Sequence, residues 1–128
     1  MAPSSNIIVF GGASLGDTSQ KFPELQTPED IQKLLDLLKS KGCTTIDTAQ
    51  LYGMGESEQT IGQAKAIEQG FTVDTKWIGG WFGKSWATRE TMVNSAKESL
   101  EKLGAGKGKE IDISTSTALI STRRSRTL

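Results

Sequence analysis

The chain has 128 residues, of which 15 are basic and 15 are acidic, so its formal net charge is zero. Without an excess of either charge, we expect no field that would gather nucleic acid or an anionic membrane, and a small-molecule substrate fits better. The single cysteine excludes an internal disulfide. A start that lacks the basic and apolar regions of a signal peptide, and apolar runs too short for a membrane helix, favour a cytoplasmic protein. No metal site is expected.

The first predicted strand is residues 7–10, which read Ile-Ile-Val-Phe and stop at Gly11 and Gly12. A continuous β-branched and aromatic run is typical of a parallel strand that is buried on both faces. The glycine-rich stretch that follows, residues 11–16, lacks the Gly-x-Gly-x-x-Gly spacing of a dinucleotide-binding turn. A plain turn is the simpler interpretation of it.

The first predicted helix begins after Thr27, whose side chain can accept backbone N–H bonds as an N-cap, and Pro28 suits the first helical position. Gly42 is placed to end this helix in the left-handed conformation. Between these ends, apolar residues recur at helical spacing: Ile31, Leu34, Leu35 and Leu38. We expect this apolar stripe to lie against a sheet.

The next stretch, residues 43–62, combines a strand, a loop and the start of a helix. Its β-branched run ends on Asp47, and Tyr52 follows five residues later in the loop. Ser57 or the residue before it then begins an apolar-periodic segment that predicts a helix as far as Glu68. A charged strand end, a phenol and a helix start are the arrangement of a catalytic βα loop.

The third predicted strand, residues 71–76, ends on Lys76. The connection after it contains all three tryptophans of the chain within residues 77–86. One interpretation is a loop that packs over the rim of the sheet. The other is that Trp77, Trp81 and Phe82 form the wall of a pocket for an apolar substrate, since ligand sites are lined mainly by such side chains.

Thr88 is predicted to cap a third helix, and a fourth strand is predicted to start at residues 110–113. The apolar face of that helix would carry Met92, Val93, Ala96, Leu100 and Leu103. Alternating strands and helices predict parallel strands with right-handed crossovers, in either a barrel or an open doubly wound sheet. In a barrel, the strand ends that carry Asp47 and Lys76 would meet at one rim with Tyr52.

Residues 43–62 resemble the signature of the aldo-keto reductase family, which is an aspartate at the end of the second strand, a tyrosine, and a Glu-x-x-[apolar]-Gly helix start. The matching residues here are Asp47, Tyr52, Glu58, Ile61 and Gly62. Asp-Thr-Lys at residues 74–76 is similar to the branch that includes aflatoxin-aldehyde reductases, of fungal type. The resemblance implies an α/β fold in which residues 1–113 are the N-terminal half of a (β/α)8 TIM barrel, about three and a half βα units.

By the same resemblance, the chain is an NADP-dependent reductase that converts a carbonyl to an alcohol by hydride transfer from NADPH, in a role that extends to fungal secondary metabolism. Tyr52 would donate the proton, and Lys76 would favour its release by stabilising the phenolate. Asp47 would pair with Lys76 and contact the cofactor. The structural alternatives are that Asp47 caps a loop, Lys76 is a solvated strand end and Tyr52 packs at the rim.

Residues 114–128 depart from the family pattern, which continues Tyr-Leu-His-x-Pro-Asp and supplies a catalytic histidine. Thr117 stands where that histidine is expected, and the polar, basic composition predicts a disordered tail. With one added T, codons for residues 114–120 can spell Phe-Tyr-Leu-His-x-Pro-Asp in the displaced frame. We therefore hypothesise a frameshift; the alternative is an unrelated tail acquired at an exon boundary.

The absence of the histidine and of half the barrel predicts little or no activity for this chain. By family resemblance, most of the residues that bind the cofactor would also lie in the missing half. The alternative function is a noncatalytic partial-barrel interaction module or a pseudogene product. The sequence leaves the substrate and the oligomeric state open.

Overall fold

The computed structural model describes residues 7–17, 19, 22–77, 88–104, 111–114 and 119–122. Strands and helices alternate through most of the chain, as the sequence predicts. The elements are β1 (Val9–Gly11), α1 (Pro28–Ser40), β2 (Thr45–Asp47), α2 (Ser57–Gln63), β3 (Thr72–Lys76), α3 (Arg89–Lys102), β4 (Ile111–Ser114) and β5 (Leu119–Thr122). Two short 3-10 helices, Pro23–Leu25 and Tyr52–Gly55, lie in the connections. No helix within these ranges is long and apolar enough to cross a bilayer.

The first three strands form a parallel sheet in the order β1, β2, β3. Gly11 is aligned with Asp47 in the neighbouring strand, and Asp47 with Asp74. These three residues therefore lie side by side near the carboxyl ends of the strands. The α/β class and the parallel order of β1, β2 and β3 are confirmed.

The end of the chain differs from the prediction. β5 pairs antiparallel with β3, where Lys76 is aligned with Leu119, and β4 pairs antiparallel with the far side of β5. β5 therefore occupies the edge of β3 where a parallel fourth strand was expected, and the disorder predicted for the tail, residues 114–128, stays a prediction outside the strand residues. The physical reason is that Leu-Ile-Ser-Thr is a short β-forming segment, and pairing with β3 provides partners for the backbone groups of an otherwise open edge.

The core lies between the parallel sheet and the helices. Ile46 of β2 and Val73 of β3 are fully buried, and the strands direct them toward the helices because side chains alternate between the two faces of a sheet. The other members of this buried cluster come from the helices and loops: Leu15, Ile31, Leu35, Ile61, Ala66, Phe71 and Leu103. The predicted stripe of α1 thus contributes two of its residues to the buried core and packs against the sheet.

The ends of α1 are those that the sequence predicts. The Thr27 Oγ1 accepts a hydrogen bond from the Asp30 N–H at 3.1 Å and so caps the first turn. Gly42 has φ of 76°, a left-handed conformation that glycine adopts without steric cost. The Cys43 N–H donates to the Leu38 carbonyl at 2.9 Å, as in a Schellman motif. Both helix signals are confirmed.

α2 ends at Gln63 and is shorter than its predicted extent to Glu68. Lys65 adopts φ of 54°, and the Ala66 N–H donates to the Ile61 carbonyl at 3.3 Å. This is the hydrogen-bond pattern that ends a helix, with a lysine at the position usually occupied by glycine. The prediction was too long because no glycine marks this end.

α3 starts as predicted, since the Thr88 Oγ1 accepts a hydrogen bond from the Thr91 N–H at 3.1 Å. Its buried face includes Ala96 and the following Leu103. Val93, however, is 42% exposed, so its predicted place on the apolar face is wrong. The buried face of α3 is centred on small residues rather than on that valine.

Candidate active site

An ion pair joins the carboxyl ends of β2 and β3. The Lys76 Nζ lies 2.5 Å from Oδ1 and 2.6 Å from Oδ2 of Asp47, and it also donates to the Thr48 carbonyl at 3.1 Å. Each side chain of the pair is 32% exposed. Strand alternation explains why both point away from the core, since Ile46 beside Asp47 and Thr75 beside Lys76 are buried toward the helices.

Tyr52 completes this group of side chains. The Lys76 Nζ lies 5.2 Å from the centroid of the Tyr52 ring, within the range of a cation–π contact. The turn that carries the ring is fixed by backbone bonds, because the Tyr52 N–H donates to the Ala49 carbonyl at 3.1 Å and the Gly53 N–H to the Ala13 carbonyl at 3.0 Å. The structure therefore brings the three predicted side chains together, while their roles in catalysis stay a prediction.

This arrangement has a definite chemical capacity. The Lys76 ammonium lies over the Tyr52 ring, so a phenol O–H donor and a cation are held side by side at the strand ends. A partly desolvated ammonium group costs free energy unless an anion compensates it, and Asp47 does so through both carboxylate oxygens. The group as a whole can donate a proton to an oxygen atom on which negative charge develops.

Behind the ion pair, α2 is linked to the strand ends by buried hydroxyl groups. The Thr48 Oγ1 and the Ser57 Oγ are 2.7 Å apart, and the Ser57 Oγ donates to the Gly12 carbonyl at 2.8 Å. The Thr75 Oγ1 donates to the Glu58 Oε1 at 2.5 Å. From the sequence, Ser57 and Glu58 are expected only as the start of a helix. The signal for these contacts is that Thr75 in β3 and Thr48, directly after β2, both fall on helix-facing positions.

A separate cavity of about 510 Å³ lies between the turn after β2 and α3. Trp77 contributes to its wall, together with Gln50, Leu51, Met54, Gly55, Thr91, Asn94, Ser95, Glu98 and Lys102. The described residues around it do not include Asp47, Tyr52 or Lys76. Trp77 lines this cavity, whereas Trp81 and Phe82 lie outside the described residues, so the substrate pocket expected from these three side chains stays a prediction.

Gln50 connects this region to α3. Its Nε2 donates to the Ser99 Oγ at 3.0 Å and also bonds with the Ser95 side chain. Its backbone N–H donates to the Lys76 carbonyl at 3.1 Å. Gln50 therefore ties the loop that carries Tyr52 both to the end of β3 and to α3.

The strand end beside Asp47 is open at Gly11. Among the described residues, none has a heavy atom within 4 Å of a Cβ added at Gly11, and Gly11 is aligned with Asp47 in the adjacent strand. The partly exposed carboxylate of Asp47 can accept hydrogen bonds from hydroxyl groups of a bound molecule. Within the described ranges, no group of three or more His, Cys, Asp and Glu side chains could hold a metal ion.

A family model described as "Aldo/keto reductase family" matches residues 7–115. The chain is 34% identical over 113 residues to "Oxidoreductase sirO" of Leptosphaeria maculans. It is 32% identical over 108 residues to "Aryl-alcohol dehydrogenase GME11368" of Pestalotiopsis microspora. These matches cover 86% and 81% of this chain, but only 32% and 24% of the two relatives. The chain therefore spans a third or less of their length.

A solved structure shows the same fold. The aldo-keto reductase AKR11C1 from Bacillus halodurans, in its holo form, matches with a TM-score of 0.55 and 28% identity. The match covers 76% of this chain and 32% of that chain. The predicted fold, part of a (β/α)8 barrel, is confirmed by this match together with the parallel strands of the sheet.

Proposed function

Because this chain belongs to the aldo/keto reductase family, we propose that it provides the proton-donor side of a site that reduces a carbonyl group to an alcohol with NADPH. The observation that carries the proposal is the position of Lys76, whose Nζ contacts the Asp47 carboxylate at 2.5 Å and lies 5.2 Å from the Tyr52 ring. Neither contact is needed to bury the core, which lies on the other face of the sheet.

In the proposed reaction, Tyr52 donates its phenolic proton to the carbonyl oxygen as negative charge grows there. NADPH, when bound, supplies the hydride that adds to the carbonyl carbon. Lys76 stabilises the phenolate that is left, and water later returns a proton to it. Asp47 holds Lys76 in place and keeps its charge compensated, so that the ammonium faces the phenol rather than solvent.

The described residues fit the reactive end of the cofactor. Open space above Gly11 lies next to the Asp47 carboxylate, on the same face of the sheet as Lys76. We propose that Asp47 also accepts a hydrogen bond from a hydroxyl group of bound NADPH, since each carboxylate oxygen can accept a second bond besides that from Lys76. The preference for NADPH over NADH is part of this proposal and rests on the family.

For the substrate, we propose an aromatic aldehyde, with a role in fungal secondary metabolism. Support comes from the fungal relatives, one of which is named an aryl-alcohol dehydrogenase. Flat apolar substrates also suit the tryptophan-rich connection after β3. In a barrel completed with the missing units of a relative, we expect NADPH to be consumed faster with benzaldehyde than with a linear aldehyde.

We propose that the 128 residues by themselves turn over little or no substrate. The sequence has no histidine to complete the family's catalytic group, and it spans a third or less of its relatives. The frameshift at residue 114 stays our hypothesis for the unusual end of the chain, and the family match to residue 115 is compatible with it. Sequencing the gene downstream of the codon for Ile113 tests it, because a displaced frame should continue into the missing barrel.

The proposed function is tested in a completed barrel, in which residues 1–113 are joined to the remaining units of the Bacillus halodurans reductase. NADPH consumption is followed at 340 nm with benzaldehyde as the substrate. We expect Tyr52→Phe to lower kcat by at least about 100-fold, since a positioned proton donor contributes that much. Leu51→Ala, at the exposed position next to it, serves as the matched control. An unchanged kcat in Tyr52→Phe would exclude the proposed role.

One observation favours the interaction module as a second candidate. The described sheet has β1 at one edge and β4 at the other, and the residues that lead into β1, Ile7 and Ile8, are 81% and 60% exposed. An open apolar edge can pair with a strand of another chain. Size-exclusion chromatography with light scattering distinguishes the two functions, because the module requires a defined oligomer that Ile8→Lys dissociates.

A further inference from the structure

The first turn of α2 is linked to β2 and β3 through the residues next to the ion pair. Thr48 follows Asp47 in the chain and contacts Ser57, whereas Thr75 precedes Lys76 and donates to Glu58. Both threonines and Ser57 are fully buried, and Glu58 is almost so. Each charged residue of the rim thus has a neighbour that is bonded to the same helical turn.

These links bear on the distance between Lys76 and Tyr52. Tyr52 lies in the short 3-10 helix that precedes α2, so the first turn of α2 is one of the elements that set the position of its ring. Lys76 is the last residue of β3 and moves with that strand. The separation of 5.2 Å between the ammonium and the ring therefore depends in part on how α2 sits against β3, in addition to the backbone bond from Gln50 to Lys76. The Glu58–Thr75 bond joins these two elements one residue from Lys76.

The chemistry of Glu58 points to the same role. Its Oε2 is buried and has no hydrogen-bond partner among the described residues, while Oε1 accepts the Thr75 hydroxyl. A buried carboxyl group with one partner is less favourable than an apolar side chain of similar size. Stability alone would therefore favour an apolar residue here, and what Glu58 supplies instead is a directional bond to β3.

We propose that Ser57 and Glu58 are positioning residues for the rim. Ser57 fixes the end of β2 beside Asp47, and Glu58 fixes the end of β3 so that Lys76 stays over the Tyr52 ring. The proposal rests on the proposed function for its biological meaning, since the positioned groups are the proton donor and its partners. The position of Lys76 relative to the Tyr52 ring can be measured without any turnover. An experiment can therefore contradict the positioning role without contradicting the proposed function, and the reverse.

Tyr52 is the only tyrosine of the chain, so one isotope-labelled tyrosine gives ring resonances from a single site. The experiment measures the NOE between the Tyr52 ring protons and the Lys76 side chain in the 128-residue protein. The test variant is Glu58→Met with Thr75→Val, which removes both partners of the bond. Replacing both by apolar groups of similar shape has little effect on folding, so a change in the NOE reports position.

Two controls separate positioning from stability. Glu58→Gln keeps an oxygen that accepts the Thr75 hydroxyl, so it should retain the NOE. Ile61→Val shortens a buried side chain on the same helix without touching the bond, so it should lower the melting temperature and retain the NOE. We expect the double variant to lose most of the NOE intensity. Its melting temperature should be no lower than that of the Ile61→Val control.

The outcomes are distinct. Loss of the NOE in the double variant and its retention in both controls supports the positioning role, whether or not the completed barrel consumes NADPH. An NOE of undiminished intensity in the double variant overturns it and leaves the proposed function standing. If the double variant does not fold, Thr75→Ser, which keeps the hydroxyl group that bonds to Glu58, is compared with Thr75→Val, which removes it. An NOE equally strong in both variants also overturns the role of Glu58. So does the absence of the NOE from the unsubstituted chain.

Discussion

The two faces of the parallel sheet differ in composition and in exposure. The face toward the helices presents Ile46 and Val73, which are fully buried. The opposite face presents Asp47 and Lys76, whose side chains are 32% exposed. Because successive residues of a strand point to opposite faces, a few short segments supply both an apolar core and a charged rim. Stability and chemistry therefore depend on different residues of the same strands.

The largest difference between the faces is expected from substitutions in β2. Ile46→Ala removes a fully buried side chain and should lower the free energy of unfolding by about 2–5 kcal/mol. Thr45→Ala, one residue earlier on the opposite face, should lower it by less than about 1 kcal/mol. Denaturant unfolding of both variants measures the two values. If both substitutions lowered the free energy of unfolding equally, the core-facing side of the sheet would not be the main source of stability.

A smaller effect is expected in the helix layer at Gly62. A Cβ added there would collide with the Lys102 carbonyl oxygen at the end of α3. Gly62→Ala should therefore push α3 away from α2 and cost about 1–3 kcal/mol, although alanine is the better helix former. Gln63→Ala, the next residue of α2, is the control and should change stability little. A stabilised Gly62→Ala variant would mean that the two helices are not in contact at this point.

Much of the fold follows from local signals in the sequence. The caps at Thr27, Gly42 and Thr88 depend on bonds within a few residues, and the sequence predicts them correctly. The placement of Asp47 and Lys76 at one rim follows from strand ends that must meet in a parallel sheet. Local chemistry and the period of the strands were sufficient for these features.

Other features depend on contacts that no local pattern encodes. Lys65 ends α2 in a left-handed conformation without a glycine, and β5 returns to the edge of β3 because that edge is open. Helical spacing indicates which residues share a face of α3, but it does not show which part of that face is buried. Ala96 and Ser99 are buried, and Val93 is left exposed. The bond between Glu58 and Thr75 joins residues that are close only after α2 has docked on the sheet.

In the proposed site, Tyr52 and Lys76 act as one unit on the open face of the sheet. A double-mutant cycle on kcat in the completed barrel tests it most directly, with Tyr52→Phe, Lys76→Met and the double variant. If the two residues act together, each single change lowers kcat by about 100-fold or more, and the double variant is slower than the slower single by no more than about threefold. Single effects that multiply in the double variant, to about 10,000-fold or more, would contradict the claim.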